Sequence, residues 1–339
     1  MHRRATSADF LTATKLRLRI PCCLFLAAAS LLVGCKPGPE QSQEIAAQGL
    51  YSASISTDGN LLTVGSIYHG GSLWSGDERL FNWNHKSGEM TELVAVDFSP
   101  ESQWAVTAAA RSFVLWSARN GKASAYLSTP AQVTDIALGP NGNYALVGTT
   151  NNDALLYSPR QQSVVRELPH SNSVRSVAIS GDGRLGLTGS EDANATVWDL
   201  QTGNALHRKR HNDEVQLVAL SPDGRLALSA AQYDKALLWR TRSGDEIGKL
   251  PISDEKIKRG KLFTAAQFSA KGDQLLTGTS DQEVQLWNTR KLTLLAEWRL
   301  PKRHAWQPTG AAVIAVGFDR RSGMYHAVTA NGFSHILKR

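Results

Sequence analysis

Histidine is the side chain best suited to proton transfer or metal binding near neutral pH, and the chain carries nine. His2, His69, His85, His170, His207, His211, His304, His326 and His335 are scattered, with no spacing that would converge on one metal. His170 and His211 each precede an alternating apolar run, a place where a structural hydrogen bond is the plainer role. No nucleophile elbow, phosphate loop, zinc-type His-Glu pattern or paired-cysteine motif occurs. Gly70-Gly71 is followed by no helical pattern, so it does not read as a phosphate cradle. These residue types point away from catalysis and imply neither metal nor cofactor. The expectation is a protein that binds rather than one that reacts.

The elements that hold these residues repeat. Turn signals recur as Ser56-Thr57-Asp58-Gly59, Ser99-Pro100-Glu101-Ser102, Gly139-Pro140-Asn141-Gly142, Ser180-Gly181-Asp182-Gly183, Ser221-Pro222-Asp223-Gly224 and Ser269-Ala270-Lys271-Gly272. A weaker one ends the series at Asp319–Gly323. Ser first, Pro second and Gly fourth suit a tight turn. Alternating apolar runs on both sides, such as 174–179 and 185–188, make each a hairpin. An aromatic then closes a third strand at Trp83, Trp116, Tyr157, Trp198, Trp239 and Trp287, with Ile336 last. Successive intervals from 116 through 157 and 198 to 239 are all 41 residues. Nine Trp against three Met also fit a repeated structural task for the indole. A period of 40–45 residues with four short strands is the signature of a propeller blade, and seven units are visible. The expected fold is all-β: a seven-bladed β-propeller of four-stranded antiparallel blades over residues 44–339. The last unit shows only three strands before Arg339, so an N-terminal strand is expected to close it.

Residues 170–199, with Thr188-Gly189-Ser190-Glu191-Asp192 and Trp198-Asp199, resemble a WD repeat almost throughout. The resemblance to the WD-repeat propeller family extends over the mature chain. It implies a hydrogen-bonded tetrad of His, hydroxyl, Asp and Trp, carried here by His170, Ser190, Asp192 and Trp198. Other units match in part: Thr279, Asp281 and Trp287 without a His, and Thr149 and Tyr157 with Asn151 in the Asp position. In the fifth unit Ala231 takes the hydroxyl position and Asp234 is displaced by one. An eight-bladed ring of the kind found among outer-membrane assembly lipoproteins is the alternative, but no eighth unit is visible.

The N-terminal segment reads as an address. A basic stretch, Arg3 to Arg19, precedes an apolar run, Ile20 to Gly34, that is short for a bilayer span and suits a signal peptide. Leu32-Val33-Gly34-Cys35 resembles the bacterial lipobox. That resemblance implies a signal peptide over 1–34, cleavage before Cys35, and acylation of Cys35 with chains such as palmitate. Lys36 rather than Asp follows it, which implies the outer membrane. Residues 35–43 would then be the lipidated cysteine and a polar tether. Cys22 and Cys23 would leave with the signal, and the mature chain would keep no thiol but Cys35. The formal charge of +7 shrinks as well: without five basic residues and one acidic residue in 1–34, 32 basic and 29 acidic residues remain. A net +3 implies no global steering toward nucleic acid.

Three stretches break the period: His69–Asp77 within the first unit, 251–262 between units five and six, and 301–311 between six and seven. Blade chemistry belongs to loops on a scaffold, and all three should crowd one sector of one face. They hold Trp74, Lys256, Lys258, Arg259, Lys302, Arg303 and Trp306. Exposed Trp and Arg suit an interface. The expected function is a non-enzymatic, membrane-anchored envelope scaffold that docks a protein partner through these residues. Alternatives are a carbohydrate- or cell-wall-binding propeller, with Trp74 or Trp306 stacked on sugar, and a propeller hydrolase with titratable groups converging in the channel.

Overall fold

The computed structural model describes residues 36–66, 70–85, 91–234, 236–250, 260–303 and 311–339. Cys35 and the residues before it lie outside these. So do residues 251–259 and 304–310, and with them Lys256, Lys258, Arg259 and Trp306.

The chain folds locally as its turn signals dictate. In Ser180–Gly183 the Ser180 hydroxyl donates to Asp182 at 2.6 Å and accepts from the Leu185 amide at 3.0 Å. Ser56 with Asp58 and Ser221 with Asp223 repeat both bonds. Gly183 sits at φ +73°, a left-handed conformation that glycine adopts without cost from a Cβ. Each such hairpin gains two further strands and becomes a four-stranded antiparallel sheet. There are seven: the fourth, for example, runs Val174–Ile179, Leu185–Ser190, Asn194–Asp199 and Ala205–Arg210 from channel to rim. The middle strands are buried on both faces, whereas the outer strand alternates with solvent.

Burial on both faces follows from stacking. The apolar side chains fall into seven clusters, one for each interface between neighbouring blades. Leu146, Leu156 and Leu168 of blade three meet Val174, Val177 and Trp198 of blade four. Blades seven and one meet through Val328, Ala315, Leu50, Ile55 and Val64, which completes the circle. Each fully buried leucine contributes about 1.5–3 kcal/mol relative to exposure.

Blade seven has the strands Val313–Phe318, Met324–Thr329 and Phe333–Lys338, and Gln41–Glu44 supplies its outer strand. The N-terminal closure expected from the sequence is therefore present, four residues long, with Gln41 opposite Ile336 and Glu44 opposite Phe333. It corrects the domain boundary. Part of the 35–43 segment is sheet rather than tether, because the open edge of blade seven offers its backbone groups a ladder. His335 ties the two strands from within, bonding Ser42 at 2.8 Å and Thr329 at 3.2 Å. The Gly332 carbonyl then accepts the amides of Ile45 and Ala46, and Leu50 donates to Ala330.

Blade one requires a second correction. The spacing predicts Trp83 on its third strand and Trp74 in an insertion. The third strand is instead Gly70–Ser75, with Trp74 opposite Leu62. That is the register of Trp116 opposite Ala105, Trp198 opposite Gly186 and Trp239 opposite Ala227. Trp83 belongs to the outer strand Glu78–Trp83, as Trp298 belongs to that of blade six. Two Trp on adjacent strands mimic one another in a search for a closing aromatic. In blade seven Leu337, opposite Tyr325, takes the place assigned to Ile336.

The clasp is testable at one residue. Gly332 lies at φ +91°, and a Cβ there would sit 2.1 Å from the Ala46 carbonyl oxygen. Gly332→Val should destabilise the protein by roughly 2–4 kcal/mol, read from denaturant unfolding. Deletion of residues 36–47 should lower the Tm of the whole ring in one cooperative transition; a deletion variant that melts like the intact protein would show that closure does not need this strand.

Candidate functional site

The tetrad forms, with one member replaced. His170 Nε2 lies 2.7 Å from the Thr188 hydroxyl and His170 Nδ1 lies 3.0 Å from Asp192. Trp198 Nε1 donates to the same Thr188 oxygen at 2.8 Å. A carboxylate only accepts, so Nδ1 carries the proton and Nε2 accepts from Thr188. The chain of donation runs from the indole through Thr188 to the imidazole. Ser190 is not in it: its oxygen bonds the Asn172 and Ser173 carbonyls and accepts the Asp192 amide. Residues 188 and 190 share one face of the strand, so alternation alone does not separate them. Register does, since Trp198 sits opposite Gly186, one pleat from 188 and two from 190.

With that shift the motif appears in more blades than the sequence suggests. Trp116 donates to Thr107 at 2.8 Å, which lies 2.9 Å from His85 Nε2. Trp239 donates to Ser229 at 3.1 Å, which lies 2.8 Å from His211 Nε2. In blade five the hydroxyl is therefore Ser229, not a position lost to Ala231. Trp287 donates to Thr277 at 2.9 Å. Burial lowers His85 to about 4 and also lowers His170 and His211, against the pull of Asp192 on the one and Asp234 on the other. These imidazoles are neutral braces at neutral pH.

The central channel, about 450 Å³, is lined by inner strands of all seven blades. Its two carboxyl groups are where a hydrolase would place its acid and base. Burial raises Asp97 to about 7 and Asp135 to about 6, against backbone donors in both cases. Each carboxyl group is nonetheless engaged in holding the ring. Asp97 accepts from Ser54 at 3.1 Å and from the Leu138 amide at 2.9 Å, so it links blades one, two and three. Asp135 accepts from its neighbour Ile136 and from Val177 of blade four, both at 2.9 Å. Ser176 accepts from Val218, and Gln267 from Phe318, in the same way. The polar groups of the channel wall thus stitch blade to blade.

The expected docking residues separate into different roles. Trp74 is half-buried on its strand: its Nε1 donates to Ser72 at 2.8 Å, and Arg79 covers its ring at 5.7 Å. A sugar stacking there would have to displace Arg79. Arg303 is a staple for the clasp, bonding the Ala46 and Ala47 carbonyls and Glu44, with its guanidinium 5.4 Å over Phe333. Lys302 is exposed. Sequence reasoning missed the cluster around Glu283, a residue only 3% exposed on the third strand of blade six. Lys36 and Lys261 both bond it, and Arg299 lies 3.3 Å away. Burial alone would raise this carboxyl, but Lys261 and Lys36 outweigh it and hold it at about 2. Lys36 also bonds Glu297 at 2.9 Å, and the Pro37 carbonyl accepts from Arg299. The N-terminal segment, the end of the 251–262 stretch and the start of the 301–311 stretch therefore gather on blades six and seven.

Two expectations follow. Thr188→Val leaves His170 and Trp198 without their shared partner and should cost about 2–4 kcal/mol, whereas Thr196, whose buried hydroxyl has no partner among the described residues, should tolerate Val at no cost or with a gain in unfolding free energy. The Asp97 carboxyl is raised on folding from 3.8 to about 7, so the native state holds more protons than the unfolded chain across that window. Stability from this group is full below the window and is lost as pH rises through it. The Tm of Asp97→Asn relative to wild type should therefore climb between about pH 4 and pH 8; a flat difference would mean that Asp97 is ionised throughout.

Residues 162–199 match the family model described as WD domain, G-beta repeat. The match covers the outer strand of blade three and the first three strands of blade four. No curated protein matches the chain. Blade four is thus a unit similar to a WD repeat, set within a seven-bladed, all-β ring of the architecture that WD-repeat propellers share.

Proposed function

We propose that the protein is a non-enzymatic docking scaffold of the bacterial cell envelope, lipid-anchored through Cys35, which presents the loop face of blades six and seven to a protein partner. Propellers of the WD type typically bind proteins, and the fold accords with that role. The observation that carries the reading is the convergence on Glu283 and the clasp. Lys36, the residue after Cys35, is tied to the same carboxylate as Lys261, and Arg303 is tied to the strand that follows. Lys36 directly follows Cys35 in the chain, so a lipid on Cys35 would be joined to the ring through a residue held on the same carboxylate as Lys261. A partner docking there would be met at the membrane surface. Lys36 after the cysteine favours the outer membrane.

A photo-crosslinking amino acid at Lys302 should capture a discrete partner in cells, and one at Arg119, exposed in the turn between the third and fourth strands of blade two on the opposite face, should not. Labelling with a palmitate analogue should depend on Cys35 and disappear in Cys35→Ser, together with recovery in the membrane fraction. A protein that crosslinks equally from both positions, or that stays membrane-bound and unlabelled, would overturn the docking and the anchoring parts respectively.

A further inference from the structure

A second recessed surface lies on the opposite face of the ring, where the tight turns between first and second and between third and fourth strands emerge. It is a groove of about 880 Å³ running across blades four, five and six. Its floor is apolar: Leu185, Leu226 and Ile247 are half-buried there, and Leu206 is 45% exposed. Large apolar side chains left in a concavity of this size are the usual lining of a binding site. The rim carries Arg225, Arg240, Arg242, Lys271 and Arg290, each exposed, against Asp223 and Asp273. The two acids belong to their turns, Asp223 bonded to Ser221 and Asp273 to Ser269. Arg225 lies 3.6 Å from Asp223. Among the described residues Arg240, Arg242, Lys271 and Arg290 have no ion-pair partner. The groove also has a rigid frame, since Thr241 bonds the Gly224 carbonyl, Thr289 that of Gly272, and His207 that of Arg242.

We infer that this groove binds an acidic peptide segment that carries apolar anchor residues. Four cations without partners around an apolar floor complement alternating carboxylates and aliphatic or aromatic side chains, which no single small anion would match. A recess between blades accepts side chains one at a time, whereas a bilayer surface would meet only its rim. The face is opposite to the Lys302 sector, so the site is additional to the docking proposed above and does not rest on it.

Panning the intact protein with a phage-displayed random dodecapeptide library tests the inference. Selected sequences should combine Asp or Glu with Leu, Ile or Phe, and the corresponding synthetic peptides should bind more weakly as salt rises. The paired substitution Arg242→Glu with Arg290→Glu should weaken them by at least about tenfold, and Leu206→Ser by several-fold. All three side chains project to solvent, so the Tm and any crosslinking from Lys302 should stay unchanged. Selection of peptides without the acidic and apolar pattern, or equal binding by the charge-reversed protein, would overturn the inference. So would the absence of selected peptides with flotation of the protein on phosphatidylglycerol vesicles, which would make the arginines a lipid-facing patch.

Discussion

A four-stranded blade has two apolar faces, and each face is satisfied only by a neighbouring blade. A row of such sheets therefore leaves two bare faces at its ends unless it bends into a circle. Closure is the constraint on which this molecule depends, and it is met between blades seven and one by Val328 and Ala315 against Leu50 and Val64. The strand Gln41–Glu44 gives that contact a covalent consequence, because the chain passes from this outer strand of blade seven directly into blade one. Arg303, His335 and the Gly332 carbonyl all act on this short segment. Their number suits the task, since a four-residue strand by itself holds few backbone bonds.

The buried polar groups serve the same end in two layers. Near the channel, Asp97, Asp135, Ser176 and Gln267 accept amides from the next inner strand and fix blades to one another. Farther out, the indole, hydroxyl and imidazole chains fix strands within a blade. A buried donor or acceptor is costly without a partner, so these networks select one register where apolar contact alone would permit several. The same commitment makes Asp97, Asp135, His85, His170 and His211 braces. The two surfaces proposed for recognition lie at the two ends of the ring. Lys36 and the described ends of the long connections gather at one, and the basic, apolar-floored groove opens at the other.

The turn signals were the most legible part of the fold. Ser, Asp and Gly at Ser180–Gly183 make the bonds their chemistry requires, and the 41-residue beat from Trp116 to Trp239 marks true third strands. Legibility failed where two candidates obey the same rule. Trp74 and Trp83 both sit on strands of blade one, and only hydrogen-bond register shows which is third. Ser190 and Thr188 point to one face, and only the position of Trp198 across the ladder chooses Thr188. The polar segment around Gln41 has no pattern of its own, so its sheet role follows from the edge it meets.

The sequence by itself determined the fold class, the number of blades and the need for a closing strand, because these rest on local periodicity and turn chemistry. It also marked the long connections as breaks in the beat, and Cys35 by its resemblance to a lipobox cysteine. Tertiary structure alone decided that Lys36 and Lys261 share Glu283, residues 247 and 22 positions from it respectively. It decided as well that Leu206, Arg242 and Arg290 border one groove. The reason is geometric. Periodicity fixes what each residue does along its own strand, whereas contacts between blades depend on how seven sheets twist and stack, which no spacing within one repeat encodes.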